Sequence, residues 1–243
     1  PRPGANGATT TRGTMIELLL AAAFLIASHY GISSTPLRDW LVDRLGERPY
    51  LGLYSVIALI AIVWLSIAYA GAPYVELWPS AAWMAWVPLL LMPVALIFLV
   101  SGVSSPNPTA VGAPDTLDPE DAAHGILRIT RHPVMWAIAL FALSHIIANG
   151  DFASVISFGT FAALALIGTL LLDRKYAARR GSHWRRFAEV TSNVPFGAIA
   201  AGRQRIVFEE IGWPRIGAAF ALYIALLALH TWLFGVSPMG AVG

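Results

Sequence analysis

Two consecutive stretches decide the fold: HPVMWAIALFALSHIIANG at 132–150 and FASVISFGTFAALALIGTLLL at 152–172, separated by one charged residue, Asp151. Neither contains Asp, Glu, Lys or Arg. A charge is costly at the centre of a bilayer, and about 20 apolar residues suffice for a helix to cross it. Each stretch therefore reads as a membrane-spanning helix, with Asn149-Gly150-Asp151 as the turn between them. The same criterion finds charge-free runs at 18–37, 49–75, 77–114 and 216–243. These readings predict an all-α integral membrane protein, a bundle of about six transmembrane helices with a cytoplasmic amphipathic helical segment. The spans are expected near 16–34, 50–71, 83–103, 133–148, 152–172 and 215–234, in a single transmembrane domain over 15–243.

The composition agrees. Of 243 residues, 57% are hydrophobic and 12% charged, with a mean hydropathy of +0.65. A soluble domain carries about a quarter of its residues as charges. The chain has no cysteine, which excludes disulfides, iron–sulfur clusters and thiolate chemistry and leaves His, Met and carboxylate as metal ligands. Nothing points to nucleic acid.

Basic residues set the orientation. Arg38, Arg44 and Arg48 lie between spans one and two, and Arg128 and Arg131 between three and four. Nine more, from Arg174 to Arg215, lie between five and six. The opposite side has only Arg2 and Arg12. The basic side is expected in the cytoplasm and both termini on the periplasmic side. Residues 1–14 are Gly/Thr-rich without apolar periodicity, and read as a disordered extension or tag remnant and not as a cleaved signal peptide.

Local punctuation refines the elements. Thr35-Pro36 should end the first helix. Asp118-Pro119-Glu120-Asp121 has the order of an N-cap, a first-position proline and an acidic first turn. That predicts a cytoplasmic helix running into span four, kinked at Pro133 with a carbonyl freed near Ile129. Segment 174–190, basic with Tyr176, Trp184 and Phe187 interleaved, reads as a helix on the anionic leaflet or as plain positive-inside anchoring.

The candidate chemistry lies with histidine. An ionisable group held at membrane depth is a functional candidate, and His29, His132, His145 and His230 all fall within or beside spans. Each could instead be a core histidine bonded to a neighbouring helix. Intramembrane carboxylates are scarce: Glu17 and Asp173 sit at span ends. Imidazoles without cysteine or carboxylate partners suit haem ligation better than zinc or di-iron chemistry.

At about 1.5 Å per residue, His29 lies about 8 Å, His145 about 18 Å and His230 about 21 Å from the cytoplasmic ends of their spans. A bis-imidazole iron, with Fe–N bonds of about 2 Å, holds two Cα atoms on the order of 12 Å apart. Both His29 with His145 and His145 with His230 satisfy this. Arg128 and Arg131 are candidate partners of haem propionates through their bidentate forks, or anchors. Asn107 and Asn193, in proline-bounded polar loops on the same side, could close a pocket or shape turns.

Ser28-His29-Tyr30-Gly31, Thr35-Pro36-Leu37-Arg38, Leu45-Gly46-Glu47-Arg48, Ser105-Pro106-Asn107-Pro108-Thr109, Arg128-Ile129-Thr130-Arg131-His132-Pro133, Ser144-His145 and Thr191-Ser192-Asn193-Val194-Pro195-Phe196 together resemble the NnrU family. That family comprises bacterial inner-membrane proteins linked to denitrification and nitric oxide metabolism, with plant 15-cis-zeta-carotene isomerase as a relative. The resemblance runs from about Met15 to Phe196. It implies haem b held by His29 and His145; Arg128, Arg131, His132 and Asn107 remain candidate cofactor-binding residues read from the sequence itself. The iron would then do isomerase, redox or nitric-oxide-related chemistry on an apolar polyene or a small gas, in the bilayer and beside a possible denitrification enzyme partner. The isomerase's exchange of an axial ligand for cysteine cannot operate in a chain without one. Arg131-His132-Pro133 is also similar to the S-adenosylmethionine site of membrane methyltransferases, with Leu172-Asp173 where those have an acidic pair. A third reading is a non-enzymatic assembly factor for a nitric oxide or nitrite reductase.

Overall fold

The computed structural model describes residues 13–109 and 123–239. Long helices occupy Met15–Ser33 (α1), Glu47–Gly71 (α3), Ala82–Ser104 (α4), Pro133–Asn149 (α5), Phe152–Arg180 (α6) and Trp213–Phe234 (α10). Shorter ones occupy Pro36–Leu45 (α2), Ser182–Val190 (α7), Gly197–Ala200 (α8) and Phe208–Ile211 (α9), with a 3-10 turn at Gly125–Arg128. Five of the long helices have the length and apolarity to cross a membrane. The sixth, α5, is shorter at 17 residues. The protein is a multi-pass membrane protein. Most of the N-terminal extension (1–12) and the predicted helix start at Asp118-Pro119 lie outside the described residues.

Helix ends follow local chemistry. Thr14 Oγ1 accepts from Glu17 N–H at 3.1 Å, and Asp151 caps α6 by accepting from Ser154 N–H at 3.0 Å, each satisfying a first-turn donor. Gly150 ends α5 at φ 68°. A Cβ there would lie 2.7 Å from the Trp78 carbonyl oxygen, so the α5–α6 turn requires glycine. That turn is held from outside by loop 72–81: Leu77 and Trp78 N–H donate to the Gly150 carbonyl, and Phe152 N–H to Val75.

The helices pack in the order α10, α4, α5, α6 and α1, with α3 against both α1 and α6. The α1–α3–α6 contact is lined by Ala21, Ala22, Ala61, Ala68 and Ala153, filled out by Leu18, Leu25 and Leu65. Small residues let helices approach closely where lipid supplies no hydrophobic drive to associate. Leu59, Ile67, Leu90, Ile224 and Leu229 point outward, as a lipid-facing surface requires.

Two expectations are corrected. Helix α5 begins at Pro133 and is not entered by a helix from residues 123–132: a 3-10 turn ends at Arg128, and His132 is a non-helical N-cap (φ −122°, ψ 56°). The residue before proline avoids the α region, and proline at the first helical position has no N–H to leave unpaired. No kink arises, and the Ile129 carbonyl accepts from Phe196 N–H at 2.9 Å. Segment 174–190, in turn, is the end of α6, a break at Gly181, and α7. Trp184 and Phe187 of α7 turn inward to Phe98, Ile126, Leu127 and Ile211. Its aromatic face therefore covers protein and not the leaflet.

Candidate functional site

At the basic end of the bundle, polar side chains converge on Asp173, near the end of α6. Arg131 grips the carboxylate with both arms of its fork, Nε to Oδ1 at 2.9 Å and Nη2 to Oδ2 at 2.6 Å. His132 Nε2 meets Oδ1 at 2.7 Å, and Asn193 Nδ2 donates to Oδ2 at 3.2 Å. The Asn193 carbonyl in turn accepts from Trp136 Nε1 at 2.8 Å and from Thr130 Oγ1 at 2.6 Å. The start of α5, the end of α6 and the loop after α7 are thus tied at one point.

The His132 side chain is wholly buried. Burial pushes its pKa below the usual imidazole value, outweighing the hydrogen bond to Asp173. The ring is therefore neutral, donating through Nε2–H, with Nδ1 buried and unpartnered. Asn107 lies above this assembly. Its Oδ1 accepts from Thr109 N–H and Oγ1–H, both at 2.8 Å, and Thr109 Oγ1 also reaches the Arg131 carbonyl at 2.9 Å. Asn107 shapes a turn.

Arg128 makes a second fork. Its Nε and Nη2 donate to Glu210 Oε2 and Oε1 at 2.7 and 2.8 Å, and Nη1 to Gln204 Oε1 at 2.6 Å. Gly125 N–H adds a bond to Oε2 at 2.8 Å. Arg128 and the Gly125 N–H together hold the Glu210 carboxyl down at about 2. Both arginines assigned to propionates thus already have carboxylates, supplied by Asp173 and Glu210. The sequence places Asp173 at a span end and at the position of the methyltransferases' acidic pair, and singles out no role for Glu210. The signal that could have found Asp173 is its isolation: one acid between an apolar run and Arg174-Lys175.

The membrane histidines lie elsewhere. His145 on α5 sits between Phe141 and Phe158, with ring centroids at 4.5 and 5.2 Å. Its Nδ1–H donates to the Phe141 carbonyl at 2.7 Å, which leaves the Nε2 lone pair uncommitted. His29 on α1 has its ring against Tyr54 at 5.6 Å. Its Nδ1 is buried, and its one backbone interaction, with Leu25, falls short of a well-formed hydrogen bond.

Both α1 and α5 flank α6. Next to His29, Tyr30 donates to the Ala163 and Leu164 carbonyls of α6, whereas His145 meets α6 at Phe158. Leu164 is six residues beyond Phe158, so the two histidines sit at depths about 9 Å apart. His230 Nδ1 bonds the Val236 carbonyl at 2.8 Å beyond the end of α10. Among the described residues, no three His, Asp or Glu side chains gather as a metal-binding group.

The family model described as "NnrU protein" matches residues 17–238. The chain belongs to the NnrU family. This NnrU family member is 29% identical over 194 residues to the protein named 15-cis-zeta-carotene isomerase, chloroplastic, from Zea mays, covering 79% of this chain and 52% of the maize protein. It is 30% identical over 197 residues to the Arabidopsis thaliana protein of the same name, covering 77% and 51%. The chain thus spans about half the length of the curated relatives it matches. No solved structure matches it. The NnrU match extends past Phe196 into α10, so the family region includes Glu210 and its contact with Arg128.

Proposed function

We propose that this NnrU protein is a haem-dependent, isomerase-like enzyme of the bacterial inner membrane that acts on an apolar cis-polyene or a small gas. The observation that carries the reading is the pair His29 and His145 on two helices flanking α6. His145 is anchored through Nδ1 with Nε2 left to act as a ligand, and His29 holds a buried nitrogen with no well-formed hydrogen bond. A metal-ligating histidine normally has its other ring nitrogen fixed by a carbonyl or carboxylate, as His145 has. His29 and His145 would hold a haem b through their uncommitted ring nitrogens.

When bound, haem would supply an iron able to polarise a conjugated double bond or take a diatomic ligand. The chain itself contributes orientation and exclusion of water. Phe141, Phe158 and Tyr54 present aromatic faces beside the two histidines, a setting for an apolar substrate entering from lipid. The Arg131–His132–Asp173 assembly fixes the lower ends of α5 and α6 and so sets the height of His145. In this reading Arg131 and His132 serve Asp173 and not S-adenosylmethionine. The asymmetry of basic residues supports a cytoplasmic location for that end.

Detergent-purified protein should show a Soret band that shifts on reduction and is lost or displaced in His145→Ala and His29→Ala, with cis-polyene conversion in the reduced state followed by chromatography. A preparation that stays colourless after haem addition overturns the proposal.

A further inference from the structure

Away from the histidines, the 3-10 turn and the loop after α8 form an open surface concavity of about 290 Å³ lined by Arg128, Gly202, Arg203, Gln204 and Arg205. That approaches the lower end of small-molecule sites, about 300 Å³. The lining contains three guanidiniums and no carboxylate. Glu210 is paired with Arg128.

The three arginines are not equivalent. Arg203 is braced, with Nη1 donating to the Thr191 carbonyl at 3.0 Å and to that of Glu189. Arg128 spends three of its N–H groups on Glu210 and Gln204, leaving two of the five a guanidinium carries. Arg205 has no hydrogen-bond or ion-pair partner among the described residues. Two fixed guanidiniums and one free one around a hollow form an anion receptor in which little must be ordered on binding.

The adjacent chain points to a headgroup-level setting. Directly after Arg205 come Ile206, Phe208 and Trp213, all exposed, with the Phe208 and Trp213 rings stacked at 6.2 Å. Trp213 opens α10, a membrane-spanning helix. Exposed aromatics at the start of a span mark the depth of lipid headgroups, and Arg203 and Arg205 precede them closely in the chain. We propose that the concavity formed by Arg128, Arg203, Gln204 and Arg205 binds a phosphate group, carried by an anionic lipid headgroup or free in solution.

The test uses the full chain in a neutral detergent. Binding is measured by thermal shift and native mass spectrometry with three probes: short-chain phosphatidylglycerol, short-chain phosphatidylcholine and inorganic phosphate. Arg205→Gln removes the unpartnered guanidinium without touching the Arg128–Glu210 fork. Loss of one charge-assisted hydrogen bond should weaken binding about tenfold. Arg185→Gln/Arg186→Gln, on the exposed face of α7, should leave it unchanged.

Phosphatidylglycerol binding that exceeds phosphatidylcholine binding and falls about tenfold in Arg205→Gln supports the site with a lipid ligand. Inorganic phosphate binding with the same Arg205 dependence, and no gain from the lipid, supports it with a soluble ligand. Absence of binding to all three probes overturns it. So does an equal loss in the Arg185/Arg186 variant, which would reduce the effect to general surface charge. A folded variant is verified by an unchanged helical circular dichroism spectrum.

Discussion

The two arginine forks use one chemistry in two settings. Arg131 and Asp173, with side chains 13% and 19% exposed, share their site with His132, Asn193 and the Trp136–Asn193 bond. Arg128 and Glu210, at 20% and 27%, have backbone support from Gly125 N–H and stand nearer to water. In the first, the carboxylate joins the neighbouring spans α5 and α6. In the second, it ties the 3-10 turn to α9. The difference teaches that a fork's cost on removal follows from how many other donors would be stranded, more than from the fork itself.

The largest effect should come from Asp173→Ala. It strands a buried guanidinium, the His132 N–H and the Asn193 amide, and breaking a buried pair from one side costs about 3–5 kcal/mol. Thermal unfolding in detergent should show this as a large fall in Tm or as failure to recover folded protein. The double change Arg131→Met/Asp173→Leu should cost less than Asp173→Ala, because it leaves no unpaired charge. A double variant as damaged as the single one would show that the carboxylate does more than satisfy its neighbours.

A smaller loss is expected from Glu210→Ala, about 1.5–3 kcal/mol for hydrogen bonds to a charged group, reduced towards the lower figure by exposure. If Glu210→Ala proved the more harmful of the two, the contrast between the forks would be reversed. The loop carrying Gln204 and Arg205 should loosen with it, since Arg128 would lose its main anchor while keeping Gln204.

The smallest effect, and the most specific, is in pH. His132 has a lowered folded-state pKa, so the unfolded chain binds its proton first, and stability declines as pH falls below the ordinary imidazole value of about 6.5. Glu210 also titrates low, at about 2 against an ordinary 4.5. Its contribution is whole above 4.5 and is lost as pH falls from there towards 2. Unfolding followed from pH 7.5 to 5.5 should therefore show a decline of at most about 1.4 kcal/mol per unit from one group, absent in His132→Gln. Persistence of the slope in that variant would remove the buried neutral ring from the account.

Much of this architecture was legible before any coordinates. Each charge-free run overlaps one of the six long helices, because the cost of a charge in lipid is paid residue by residue and needs no knowledge of neighbours. Thr14 and Asp151 cap helix starts for similarly local reasons. The reading failed where a local rule met a longer-range choice. Pro133 was compatible with a kinked helix or with a helix start, and the Ile129–Phe196 hydrogen bond belongs to the second. The aromatics of 174–190 suited a leaflet as well as a core, and the hollow beneath Phe98, Ile126 and Leu127 took Trp184 and Phe187.

Sequence by itself determined that the chain crosses a membrane several times and carries its positive charge at one end, since both properties are sums over nearby residues. Only the tertiary structure decided what Arg128, Arg131 and His132 hold. Their carboxylates are 82, 42 and 41 residues away along the chain. No periodicity or spacing links groups so far apart, and an ion pair forms only where packed helices bring both partners within about 3 Å at once.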